Sequence, residues 1–148
     1  MEQKSFYLDT CIWLNLFKKE GNPEKGIPYW KLAKDFIEKV IFSENSEIIY
    51  SGVVIKEIKF KLDDEEKLKE KLSFLEKENR FRFVKLTEED YYFARKLESN
   101  LRYQLSFYDC LHIALCKRLN FILVTRDKYL IKIARKHITA ERPEDLFI

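Results

Sequence analysis

The sequence predicts an α/β fold: a single domain over residues 1–148, with three α/β/α layers around a central, mostly parallel sheet of four to five strands. Three observations predict it. Short apolar runs without strict polar alternation recur along the chain, as strands buried on both faces require. Longer segments with apolar residues at helical spacing separate them. Two of the three glycines and two of the three prolines are confined to one stretch, EGNPEKGIP, so nothing else reads as a linker.

The first strand is SFYL, residues 5–8, and it runs directly into Asp9. Residues 21–28 hold the Gly/Pro cluster and form the clearest loop. The second strand is EIIYS, residues 47–51; past Gly52 the segment VVIKEIKF reads as a helix that carries Glu57 about one and a half turns in. In the Lys/Glu-rich run 64–78, Leu68, Leu72 and Leu75 make one apolar stripe of a further helix. FRFVKL, residues 81–86, is the third strand. A helix starting near Ser106 places Phe107, Leu111, Ala114 and Leu115 on one face and leads into the fourth strand, FILVT, residues 121–125. Residues 138–140 are short enough to close an edge. Strands alternating with helices imply parallel pairing through right-handed crossovers, with helices on both faces.

Composition bounds the function. With 46% hydrophobic and 15% aromatic residues the chain can bury a real core. Charged residues make up 36%, above the usual quarter or so, yet 28 basic and 25 acidic side chains leave a net charge of only +3, so whole-chain charge does not announce a nucleic-acid binder. Cys11, Cys110 and Cys116 are odd in number, lack a C-x-x-C pair and sit among apolar residues; small buried hydrophobes in a reducing cytoplasm are expected. Asp9 interrupts the only apolar stretch near the N-terminus, so neither a signal peptide nor a membrane span is expected.

In open parallel sheets, ligands bind beyond the carboxyl ends of the strands. Asp9 follows the first strand and Asp127 lies just past the fourth, so both belong to that edge. Glu57 stays close to it, and Asp109 sits in the first turn of a helix that starts there. Each acid alone has an ordinary explanation. Asp9 and Asp127 suit helix N-caps, Ser106 and Asp109 have the spacing of a capping box, and Glu57 stands between Lys56 and Lys59 like a solvated charge. Four converging carboxylates, however, repel one another unless some take up protons or a cation joins them. All-oxygen ligation suits Mg²⁺ or Mn²⁺ rather than Zn²⁺. Such an ion activates water and stabilises a leaving oxygen, which is the chemistry of phosphodiester hydrolysis.

In order and spacing these acids resemble the PIN domain family, most closely its VapC-type ribonuclease toxins. The matching stretches are LDTCIWL (8–14), SGVVIKEI (51–58), YDCLHIALCKRLN (108–120), LVTRDKYL (123–130) and the closing ERPEDLF (141–147), so the likeness spans essentially the whole chain. The resemblance implies metal-binding and catalytic roles for Asp9, Glu57, Asp109 and Asp127, with Thr125 as the hydroxyl of the T-x-D element. Thr10 and Ser51 match small hydroxyl positions beside the first two acids. It also implies a Mg²⁺- or Mn²⁺-dependent endoribonuclease, an RNA substrate, a cognate antitoxin and a homodimer. One departure is Cys11, where the family often has Asn; the amide's contact to metal-bound water or to a neighbouring acid is then expected to be missing.

Arg126 and Lys128 flank Asp127 and are the best-placed cations for an RNA backbone, while Thr10 and His112 are further candidates for substrate contact. For His112 a buried, hydrogen-bonded role is the plainer reading, and His137 belongs on the surface. Trp13, Tyr29 and Trp30 are candidates for base stacking, with burial or a partner interface the commoner use of such rings. Other functions fit less well. A receiver domain needs an acceptor Asp at the end of the third strand, where this chain has FVKLTEE, and an aspartyl phosphatase needs D-x-D, where it has Asp9-Thr10-Cys11. A PIN nuclease of RNA processing outside a toxin–antitoxin pair, or a non-catalytic binding scaffold, remains as an alternative; scaffolds usually drop acids that this chain keeps.

Overall fold

The computed structural model describes residues 3–146; the ends of the expected 1–148 domain, with Phe147 of the closing ERPEDLF, lie outside the described residues. Strands β1 (Lys4–Leu8), β2 (Ser46–Ser51), β3 (Phe81–Val84), β4 (Ile122–Val124) and β5 (Ala140–Glu141) form a sheet in the order β3-β2-β1-β4-β5. Every neighbouring pair is parallel. Between them lie α1 (Thr10–Phe17), α2 (Tyr29–Phe42), α3 (Gly52–Lys61), α4 (Glu65–Lys77), α5 (Glu88–Asn100), α6 (Phe107–Leu119) and α7 (Lys128–Ala134). The three-layer α/β/α expectation holds.

The strands form where the sequence is apolar on both faces: Phe6, Tyr7 and Leu8 are fully buried in the central strand, as are Ile48 and Ile49 beside it. The chain steps from β1 outward to β2 and β3, then returns to the other side of β1 for β4 and β5. That reversal puts a topological switch point between β1 and β4 and opens a crevice at their carboxyl ends.

Two strand expectations are corrected. β3 stops at Val84 rather than continuing to residue 86, because its last partner, Ser51, hands over to α3 and leaves Lys85 and Leu86 no ladder to join. β5 occupies Ala140–Glu141 rather than 138–140, since the amides of Leu123 and Thr125 reach the carbonyls of Thr139 and Glu141 and so set the register two residues later.

The Gly/Pro segment is a loop containing a 3₁₀ turn, Pro23–Lys25. Gly21 is required there: it has φ +134°, and a Cβ would meet the backbone nitrogen of Tyr29 at 2.5 Å. On the opposite flank, Thr87 and Asp90 form the reciprocal capping box that starts α5, and the buried Asp90 carboxylate also takes Nε and Nη2 of Arg118 at 2.8 and 2.9 Å, tying α5 to α6. Cys110 and Cys116 pack as small apolar residues, as expected. Among the described residues no helix is long and apolar enough to cross a membrane.

Candidate metal centre

Asp9 stands at the switch point because β1 ends one residue before it. Leu8 pairs with Val124, and the Asp9 amide donates to the Val124 carbonyl at 2.9 Å. Its carboxylate caps α1 by accepting from the Thr10 amide at 2.8 Å, a position the helix N-terminus favours for a negative charge. The other oxygen accepts from the Thr125 hydroxyl at 2.8 Å and the Cys11 thiol at 3.2 Å. The apolar setting expected for Cys11 is thus corrected: its thiol donates to the Asp9 carboxylate and lies 3.5 Å from the Thr125 hydroxyl. Burial and the adjacent Asp9 push that thiol well above its ordinary pKa, so it remains a proton donor.

Glu57 reaches the same place from the second turn of α3. One of its oxygens accepts from the Thr10 hydroxyl and lies beside His112 Nε2, both at 2.9 Å. His112, from α6, also approaches Asp9 Oδ1 at 3.4 Å. Its Nδ1 is bonded to the Tyr7 hydroxyl at 2.6 Å, which in turn is bonded to Ser51 Oγ at 2.7 Å. One ligand atom from each of Asp9, Glu57 and His112 lies within 4.8 Å of the others.

The charges in this cluster are out of balance. Burial, reinforced by the negative charge of Asp9, pushes the Asp109 carboxyl up to about 6, against the opposing pull of His112 and the Ser106 hydroxyl. Burial would raise Glu57 too, but the hydrogen bond and charge of His112, with the Thr10 bond, hold it below the usual carboxylate range. For His112, burial lowers the pKa, and Glu57, Asp9 and Asp109 more than reverse that and raise it above the ordinary value. One imidazole therefore serves three acids. Both its nitrogens are engaged, so the free donors are carboxylate oxygens, and the set suits an oxygen-seeking divalent cation.

The remaining expected residues fall around this centre. Asp127 is exposed, and its Oδ1 caps α7 by accepting from the amides of Tyr129 and Leu130 at 3.0 and 3.1 Å. It is not in the tight group, but its amide donates to Thr125 Oγ1 at 3.2 Å, so one threonine serves both strand-end acids. Ser106 caps α6 by accepting from the Asp109 amide at 3.1 Å. Thr10 and His112, candidates for substrate contact, are 2% and 0% exposed, and both are hydrogen-bonded to Glu57. Arg126 forms a two-pronged pair with Glu144, both bonds 2.8 Å, and lies 4.3 Å over the Tyr29 ring; Lys128 is exposed. Trp13 is fully buried, Trp30 is half-buried, and His137 meets Phe93 edge-on.

Tyr7 was hidden in the sequence. Inside an apolar run it reads as core, and only its hydroxyl, two residues before a strand-end acid, hints at a polar role. The Cys11 contact was equally hidden.

The PIN domain family model matches residues 6–136. Among curated protein sequences none matches the chain. Among solved structures the chain is similar to VapBC2 from Rickettsia felis bound to a DNA fragment from their promoter, at 20% identity and TM-score 0.69 over 93% of this chain and 98% of that one. It is similar to a toxin–antitoxin complex from Klebsiella pneumoniae at 17% identity and TM-score 0.65, covering 93% and 96%. A third likeness is to VapBC-1 from nontypeable Haemophilus influenzae, 17% identical with TM-score 0.62 over 95% and 98%. At these identities the likeness is one of fold.

Proposed function

The chain belongs to the PIN domain family, and on that basis we propose that it is a metal-dependent endoribonuclease, the toxin of a type II toxin–antitoxin pair. One observation carries the reading: Asp9 and Glu57 converge on one buried imidazole at the sheet's carboxyl edge, beside an Asp109 carboxyl pushed up to about 6. Asp9, Glu57 and Asp109 would hold Mg²⁺ or Mn²⁺, with Asp127 completing the acidic edge. Such a cation, when bound, supplies water activation and charge stabilisation at the leaving oxygen.

The protein's own groups prepare the site. Thr125 fixes one oxygen of Asp9, while Thr10 and His112 fix one oxygen of Glu57, so the remaining lone pairs keep a constant direction. Lys128, exposed at the start of α7, offers a positive charge to an RNA phosphate next to the acids. Arg126 adds to this only when it leaves Glu144.

Toxin–antitoxin complexes among the similar structures support a cognate antitoxin as partner; a homodimer as the working form and the cytoplasm as the place of action complete the proposal on the family resemblance alone. The test is direct. Purified protein should cut single-stranded RNA in Mg²⁺ or Mn²⁺, stop when a chelator is added, and lose cleavage in folded Asp9→Asn and Asp109→Asn variants. Chelator-resistant cleavage, or full activity in both variants, would overturn the proposal.

A further inference from the structure

A chain of buried polar groups leads into the acid cluster from behind, running Ser51 Oγ, Tyr7 hydroxyl, His112 Nδ1, His112 Nε2, Glu57 Oε1, with spacings of 2.7, 2.6 and 2.9 Å across its three hydrogen bonds. Ser51, Tyr7 and His112 are each 0% exposed. Packing alone would be served as well by apolar side chains, which avoid the desolvation cost of three polar groups. The direction of the bonds follows the protonation of the imidazole. With a neutral imidazole, Tyr7 donates to Nδ1 and leaves the proton on Nε2; with a charged one, both nitrogens carry protons and Tyr7 accepts. A proton on Nδ1 alone, with Tyr7 accepting, would turn the Nε2 lone pair onto Glu57 and Asp9, so those two acids are what disfavour it.

We propose that Tyr7, backed by Ser51, is a positioning residue of the metal centre: it holds His112 so that Nε2–H fixes the Glu57 and Asp9 carboxylates at the spacing a divalent cation needs. This rests on the reading of the centre as a metal site. Among the described residues Tyr7 has no hydrogen bond to either acid, and it acts through the imidazole. Outer partners of this kind typically change metal affinity or activity about 10–100-fold when removed.

The experiment is a Mn²⁺ titration followed by calorimetry, on the wild type and on Tyr7→Phe, which keeps the ring and deletes the hydroxyl. The expected result is a Kd for Mn²⁺ raised about 10-fold or more in Tyr7→Phe, with kcat falling at limiting Mn²⁺, KM for RNA unchanged, and cleavage recovering as Mn²⁺ is raised. In a His112→Gln background, whose side-chain amide donates without help from Tyr7, adding Tyr7→Phe should leave Kd unaltered. A purely structural tyrosine would instead lower the melting point with Kd and kcat intact, and that result overturns the proposal. If the wild type itself takes up no Mn²⁺, this inference and the nuclease reading fall together; if it binds and Tyr7→Phe binds equally, only this inference falls. Should Tyr7→Phe not fold, Ser51→Ala carries the test, with Kd raised about 10-fold expected on the same grounds and an unchanged Kd contradicting it.

Discussion

Replacing Asp109 by Asn should make the metal-free protein more stable. Burial and Asp9 raise the Asp109 carboxyl from 3.8 to about 6, so ionising it in the folded state costs up to about 3 kcal/mol relative to the unfolded chain. The sign follows from proton counting. Between about pH 4 and 6 the folded protein holds a proton at Asp109 that the unfolded chain has lost, so this group's penalty is absent below pH 4, grows through that window and is complete above about pH 6. Asn carries no such penalty. In a chelator at pH 8, Asp109→Asn should therefore melt about 6–12 °C above the wild type, taking about 2–4 °C per kcal/mol for a chain of this size. At pH 4 the two curves should converge. Adding Mn²⁺ should then raise the wild type, by about 2.7 kcal/mol at a hundred times its Kd, and leave the variant nearly unmoved. Equal melting points at pH 8, or a gap that does not change with pH, would refute the reasoning that electrostatic conflict marks this site.

Three further outcomes are expected. Thr125→Val removes the hydroxyl that serves both Asp9 and Asp127, so cleavage should fall about 10–100-fold while unfolding in urea shows a loss of about 1–3 kcal/mol. Arg118→Met strands the Asp90 carboxylate, 1% exposed, and should cost about 3–5 kcal/mol with Mn²⁺ affinity unchanged, because Arg118 sits near the opposite end of α6 from Asp109. Lys128→Ala should weaken RNA binding across sequences and reduce the log–log salt slope by about 0.7, as read from fluorescence anisotropy at several salt concentrations.

Much of the architecture was legible because parallel strands buried on both faces leave uninterrupted apolar runs. SFYL, EIIYS and FILVT each became a strand of nearly the expected extent. The errors fell at edges. Leu86 looked like strand, but its neighbour β2 had already ended, and the position of β5 depends on which carbonyls the β4 amides reach, which no local pattern encodes. At the site, the fold class alone told that Asp9, Glu57 and Asp109 share one edge of the sheet. The partners that fix them were harder to see. Tyr7 and His112 are 105 residues apart and Thr10 and Glu57 are 47 apart, so no local pattern shows which groups meet. Arg126 read as a free cation because nothing in the sequence links it to Glu144, 18 residues on.

Anomalous scattering from a crystal soaked in Mn²⁺ would show whether this acidic edge holds a divalent cation. A peak is expected roughly 2.0–2.2 Å from carboxylate oxygens of Asp9 and Asp109, with Glu57 alongside. A map with no peak there, or with the only strong peak on Cys11 or elsewhere on the surface, would contradict it.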